Sequence, residues 1–226
     1  MKKILVIVTN TSKYDTIERP TGLWLGEAVH FVDVMEKAGF AIDYASPQGG
    51  YTPIDPHSLT QDMMTELDWK YYQDHSFMNK LGNTLAIKDV NPSDYAAIYY
   101  TGGHGVVWDF PNDVKLQEVA SKIYANGGVI SSVCHGVAGL LNIKDADGNI
   151  LIAGKKITGF SNSEEQAVQL DKFVPFSTED EVVNRKANYV KGDDWGVFAV
   201  TDNRFVTGQN PASGAAVATQ LIELLK

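Results

Sequence analysis

The sequence holds one cysteine, Cys134, in 226 residues, so no intrachain disulfide can staple the fold and an oxidising compartment is not required. It also lacks a basic run. Nineteen Lys and Arg stand against 28 Asp and Glu, and the formal charge of −9 argues against nucleic acid as a partner. No Gly-x-Gly-x-x-Gly or Walker spacing is present, which leaves a nucleotide phosphate site without support. His57 and His75 tempt a metal reading, but no His or Cys pair has tight ligand spacing, and no metal is expected. Apolar runs are short. Lys2 and Lys3 before Ile4-Leu5-Val6-Ile7-Val8 imitate the start of a signal peptide, yet five apolar residues make too short a core. The expectation is a first strand in a soluble, cytoplasmic protein with no membrane partner. Repeats, low-complexity tracts and Ser- or Pro-rich linkers are missing too, so a single domain over residues 1–226 is the simplest account. A chain of this length buries about 70–75% of its unfolded surface.

What is present is organised around residues 127–141, Gly-Gly-Val-Ile-Ser-Ser-Val-Cys-His-Gly-Val-Ala-Gly-Leu-Leu. Val129 to Val133 suits a buried strand, and Gly136 to Leu141 is small and apolar enough to start a helix. Cys134 and His135 then sit on the turn between them. Such an elbow holds a nucleophile proud of the backbone and aims helical N–H groups at it, which would stabilise a thiolate. A lone Cys beside a Gly also reads as a small buried hydrophobe, but the adjacent His and the elbow favour the nucleophile.

Along the rest of the chain, Lys3 to Val8 has the continuous apolar character of a central parallel strand, and Thr9 to Gly26 reads as a long loop at its carboxyl end, where open α/β sheets bind ligands. A helix over Leu25 to Ala38 ends at Gly39 as a left-handed cap. Leu25, Ala28, Val32 and Met35 form its apolar stripe, and His30, Asp33 and Lys37 its wet face. Glu27 falls with Phe31, Val34 and Ala38 instead, so a carboxylate enters the core side. It reads either as a dipole-favoured first-turn glutamate or as a partly buried acid with a raised pKa. Ala41 to Ala45 is a second strand. Residues 53–90 read as a helical insertion covering one edge of the site, with an aromatic and Met stripe that suits packing. Tyr95 to Tyr100 is a buried strand running into Thr101-Gly102-Gly103-His104-Gly105, whose successive glycines can point N–H groups into a cavity as half of an oxyanion hole. Asn112 to Asn126 supplies a helix with Leu116, Val119, Ala120 and Ile123 inward. Lys156 to Phe160 is a short strand leading into Ser161-Asn162-Ser163-Glu164-Glu165, where the acids open a helix or orient a catalytic His. Val197 to Thr201 and Arg204 to Thr207 form a hairpin, and Asn210 and Pro211 open the last helix.

Four ordered motifs, Gly22-Leu23-Trp24-Leu25-Gly26-Glu27, Thr101 to Gly105, Val133-Cys134-His135-Gly136 and Thr207-Gly208-Gln209-Asn210-Pro211-Ala212-Ser213, together resemble the ThiJ/PfpI superfamily of the class I glutamine amidotransferase-like fold. The resemblance covers nearly the whole chain and is strongest to the heat-shock protein 31 branch. It implies a flavodoxin-like three-layer α/β sandwich with a mainly parallel central sheet, a nucleophile elbow and a small helical insertion. It also implies a cofactor-independent glyoxalase III-type lyase (D-lactate dehydratase) that converts methylglyoxal or glyoxal to lactate or glycolate without glutathione. Carried over by position, Cys134 matches the nucleophile, His135 the catalytic histidine, Glu27 the glutamate facing the sulfur, and Glu165 the acid that holds the histidine, with Glu164 one residue away as the alternative. The zinc of longer bacterial members is not carried over.

Cys134 thiolate would add to the aldehyde as a hemithioacetal, His135 would shuttle the proton from C1 to C2 with Glu27 assisting, and backbone N–H groups at Gly102 or Gly103 and at His135 would hold the oxyanion. Water would release the product from the thioester. The resemblance further suggests a homodimer, a small aldehyde substrate and misfolded or glycated protein clients. A chaperone, a cysteine redox sensor and, less well supported, a cysteine peptidase use the same features. An amidotransferase would need a later His-x-Glu pattern that the sequence lacks.

Overall fold

The computed structural model describes residues 3–226, so Lys2 of the signal-like start lies outside it. In chain order the elements are β1 (Lys3–Ile7), α1 (Leu25–Lys37), β2 (Ile42–Ser46), α2 (Glu66–Tyr72), α3 (His75–Gly82), β3 (Leu85–Ala86), β4 (Tyr95–Tyr100), α4 (Val106–Asp109), α5 (Val114–Ala125), β5 (Val129–Val133), β6 (Lys156–Ile157), α6 (Asn162–Ala167), α7 (Thr178–Asn184), β7 (Asn188–Tyr189), β8 (Ala199–Asp202), β9 (Phe205–Gly208) and α8 (Gly214–Leu225).

The continuous apolar runs have a direct cause, because each central strand feeds two cores at once. Leu5 and Ile7 of β1 and Ile98 and Tyr100 of β4 enter one layer, packed under Leu116 and Ile123 of α5. Ile4, Val6, Ala97 and Tyr99 enter the other, packed under Phe31 of α1, Phe77 of α3 and Val217 and Leu221 of α8. The seven-stranded sheet has the order β3-β2-β1-β4-β5-β9-β8. Neighbours are parallel except for β8, which pairs antiparallel with β9 as the expected hairpin. The chain leaves β1 towards β2 on one side and returns to β4 on the other, so the topological switch point lies between β1 and β4. In open α/β sheets the crevice at that point, beyond the carboxyl ends of the strands, is where ligands bind. The arrangement is the flavodoxin-like sandwich.

Several expectations need correction. Residues 134–140 form a 3-10 helix, tighter than the α-helix expected after the elbow. The helical stretch after residue 53 is broken into a 3-10 turn (Pro56–Leu59), α2 and α3, because Thr65 and Asp74 each cap a new start. The strand expected over Lys156 to Phe160 shrinks to β6, which pairs with β7 in a separate two-stranded sheet. Two residues carry no readable period. Asp33, placed on the wet face of α1, is buried; Lys37 Nζ donates to its carboxylate at 2.7 Å, and Tyr71 of α2 lies over it. Among the described residues no helix is long and apolar enough to cross a membrane.

Candidate active site

Four chain segments meet at the carboxyl edge of β4 and β5: the first turn of α1, the glycine turn after β4, the elbow after β5 and the first turn of α6. Cys134 is the junction. Its φ of 56° puts an L-residue in the left-handed region, a strain of order 1–3 kcal/mol that persists only where surrounding contacts fix it. Gly136 supplies one such contact: a Cβ there would lie 2.3 Å from the Tyr100 carbonyl oxygen, so the elbow backbone presses directly on β4. Gly102 is equally confined, since a Cβ would come within 2.7 Å of Glu27 Oε2 and 3.0 Å of Cys134 Cβ.

Glu27 is delivered by a rigid helix start. The Leu25 amide donates to Ser58 Oγ at 3.2 Å and the Trp24 amide to the Gly102 carbonyl at 3.3 Å. The Tyr99 hydroxyl donates to the Glu27 carbonyl at 2.9 Å, and the Tyr99 ring stacks on Phe31 at 3.6 Å. The carboxyl is fully buried. Its Oε2 accepts the Gly102 amide at 2.6 Å, while Oε1 has no hydrogen-bond partner and the carboxyl lies beside the Cys134 thiol. Burial pushes Glu27 up to about 8, against the opposing pull of Cys134 and the Gly102 amide. Of the two sequence readings, the buried acid is the one the geometry presents. The same burial, together with the Glu27 carboxylate, pushes the Cys134 thiol up, and only the His135 amide works the other way. The resting site therefore holds a thiol beside a protonated carboxyl at neutral pH, in place of the helix-stabilised thiolate expected from the elbow. A short 3-10 turn supplies too little aligned dipole to outweigh burial.

His135 is buried beside Cys134, with Nδ1 3.4 Å from Sγ and Nε2 2.6 Å from Glu165 Oε2. Burial works to raise Glu165, but the His135 and His104 imidazoles outweigh it and hold the carboxyl well below its ordinary range. An anion at that position accepts the Nε2 proton, and in the neutral imidazole this tautomer turns the Nδ1 lone pair towards the thiol. The arrangement sets a thiol, an imidazole and a carboxylate in hydrogen-bonding sequence, the order that a nucleophile, a base and an orienting acid require.

The adjacent glutamates divide the two readings of their segment. Glu164 closes a capping box with Ser161 at the start of α6, and its other oxygen accepts the Trp195 amide and the Asn210 amide side chain, each at 2.9 Å. It never faces His135. The oxyanion assignment divides as well. The Gly102 amide is taken by Glu27 and cannot also hold a substrate oxygen, whereas Gly103 lines the cavity and its amide has no acceptor among the described residues.

Sequence reasoning gave no role to His104, which donates from Nε2 to Glu165 Oε1 at 2.7 Å and lies 4.1 Å from His135, ring to ring. Burial and the neighbouring His135 lower its pKa, so it serves as a neutral donor. The available signal was a histidine in a turn at the ligand edge of a buried strand. His104, His135 and Glu165 place three ligand-type atoms within 4.8 Å of one another, a set that could hold a cation. Both imidazole Nε2 atoms are already engaged by the two carboxylate oxygens, so a bound ion would have to break both hydrogen bonds. His57 pairs with Asp55 at 2.9 Å, and His75 opens α3; neither joins the cluster.

Above these groups lies a cavity of about 490 Å³, with Cys134, His135 and Gly103 on its floor and Trp24, Phe160, Trp195 and Met63 among its walls. Met63, Asp62 and Asp68 bring residues 53–90 to its rim.

The DJ-1/PfpI family profile matches residues 22–224. The chain is 35% identical to the glutathione-independent glyoxalase HSP31 of Saccharomyces cerevisiae, covering 100% of this chain and 98% of that one. It is 34% identical to glyoxalase 3 of Candida albicans over 98% of each. The crystal structure of the Candida albicans glyoxalase III superposes with a TM-score of 0.90 at 32% identity, covering 99% of this chain and 97% of that one. The rapid encystment protein of 24 kDa from Francisella tularensis superposes with a TM-score of 0.95 at 38% identity over 100% of both chains. With the elbow, the buried Glu27 and the full-length likeness agreeing, the chain belongs to the DJ-1/PfpI family.

Proposed function

We propose that this protein is a glutathione-independent glyoxalase that converts methylglyoxal to lactate. The observation that carries the reading is the contact of one thiol with two differently tuned groups: His135 Nδ1 at 3.4 Å and the buried, protonated Glu27.

In the first step Cys134 gives its proton to His135 Nδ1 as sulfur bonds to the aldehyde carbon, and Glu165 stabilises the imidazolium. The new oxyanion meets the amides of Gly103 and His135 and takes the imidazolium proton, giving a neutral hemithioacetal. His135, again neutral, removes the proton from C1, and the electron pair moves towards C2 as an enediolate. Glu27 donates a hydrogen bond to the developing charge without giving up its proton. Return of the proton to C2, with the C1 hydroxyl proton passing to the C2 oxygen, leaves a thioester, and water releases lactate and the thiol. Carbon is oxidised at C1 and reduced at C2, so the conversion consumes only water and needs no redox cofactor.

The same reading takes residues 1–226 as one domain, with residues 53–90 supplying part of the cavity rim, and places the free thiol in a reducing cytoplasm. The test is lactate formation from methylglyoxal with no glutathione present, comparing wild type with Cys134→Ala. Turnover confined to the wild type is expected. Equal lactate from a folded Cys134→Ala variant would overturn the covalent route.

A further inference from the structure

A methylglyoxal molecule has only a few heavy atoms, yet the cavity above Cys134 measures about 490 Å³, within the range of roughly 300–1,000 Å³ that encloses drug-sized ligands. Its excess space is arranged. From the catalytic imidazole an aromatic file runs outward: the Phe160 ring lies 4.3 Å from that of His135, and Trp195 meets Phe160 edge-on at 5.7 Å. Trp24 and Met63 also line the cavity.

Trp195 is held there against its own backbone preference. Its φ is 63°, a left-handed conformation unusual for a bulky side chain, and the residue remains 47% exposed, so burial of the indole does not explain the position. The restraint comes from beneath. The fully buried Glu164 accepts the Trp195 amide, and Asn210 ties the same carboxylate to the Gly196 carbonyl at 2.8 Å. The loop is pinned again where the Gly192 amide donates to Gln209 Oε1 and the Phe198 amide to Ser213 Oγ. A buried carboxylate that could have served His135 instead fixes a half-exposed indole over the cavity.

We infer that the site is shaped for 2-oxoaldehydes bearing a bulky aryl or branched apolar group, packed against the cavity-facing sides of Phe160 and Trp195 while the aldehyde carbon meets Cys134. The inference rests on the glyoxalase reading above. The chemistry is unchanged: phenylglyoxal and water give mandelate, the C1 hydrogen passing to C2 as a proton and water cleaving the thioester.

The experiment compares methylglyoxal with phenylglyoxal, following lactate and mandelate. In the wild type the KM for phenylglyoxal should be at least about tenfold lower, the scale on which an apolar pocket discriminates substituents. Trp195→Ala should lower the phenylglyoxal to methylglyoxal ratio of kcat/KM by about tenfold, and Trp195→Phe should largely preserve it. A phenylglyoxal KM at or above that of methylglyoxal overturns the inference while leaving the glyoxalase reading intact, and so does an unchanged ratio in a folded Trp195→Ala. If Trp195→Ala does not fold, the wild-type comparison and Trp195→Phe still decide. No product from either aldehyde defeats the glyoxalase reading itself and this inference with it.

Discussion

Around Cys134 the backbone has no spare space, while at the cavity mouth Met63 is 54% exposed and Trp195 nearly half so. The floor is made from strand ends whose positions the sheet fixes, and a Cβ added at Gly136 or Gly102 would meet backbone or the Glu27 carboxyl. The rim is made from broken helices and a pinned loop. On the proposed reading the contrast is a division of labour: the reacting atoms would sit where hydrogen-bonded strands prevent drift, and the groups that choose a substrate where side chains can change without disturbing the sheet. Within the floor a second contrast operates between two buried acids. Glu27 faces a thiol and one amide and is pushed up, whereas Glu165 faces two imidazoles and is held down. Burial raises both acids, and only at Glu165 do the partners outweigh it.

The sharpest way to break this picture is Glu165→Gln. Loss of the anion releases the His135 tautomer, and kcat for methylglyoxal should fall by roughly 10²–10⁴. Because Glu165 is depressed below its ordinary 4.5, its contribution to stability is present at neutral pH and disappears as pH falls below that value. The acid limb of the wild-type Tm profile should accordingly flatten in the variant. Unchanged kcat would remove the orienting role.

Glu27→Gln comes next, with turnover about a hundredfold lower and the fold retained, since the amide oxygen can still accept from Gly102. Here the sign reverses. Glu27 is raised from 4.5 to about 8, so its contribution to stability is complete below pH 4.5 and declines as pH rises towards 8. Wild-type activity should decline above about pH 8, a limb absent from the variant, and a pH–rate profile of both reads it out. An alkaline limb that persists unshifted in Glu27→Gln would assign it to another group.

The smallest effects compare floor with rim in stability. Gly136→Ala should lose roughly 1–3 kcal/mol or more through overpacking against Tyr100, whereas Met63→Ala should stay within about 0.5 kcal/mol. Denaturant midpoints decide it, and similar losses at both positions would erase the contrast.

Much of this was legible before folding. The strand over Val129–Val133 and that over Tyr95–Tyr100 have the boundaries read from their apolar runs, because strands buried on both faces admit no polar interruption. Gly39 has the left-handed φ of 89° that its position after the α1 stripe implied. Glu27 stood out as a carboxylate in an apolar helical stripe, and it is fully buried. His104 was overlooked because nothing in Gly-Gly-His-Gly tells a histidine at the ligand edge from one in an ordinary turn. β7 was overlooked, and β6 was drawn three residues too long, because two-residue strands carry no pattern.

What the sequence determined by itself was local: where strands run, where helices start and stop, and which single thiol stands on a strand-to-helix turn. These follow from side-chain period and capping chemistry within a few residues. The tertiary structure alone decided that Glu165 meets His135 while Glu164 holds Trp195, and that the Gly102 amide serves Glu27. Consecutive positions on a helix point about 100° apart, so neighbours in sequence look into different surroundings. Those surroundings are His135 on one side and Trp195 and Asn210 on the other, brought together only when the sheet closes the long separations between them.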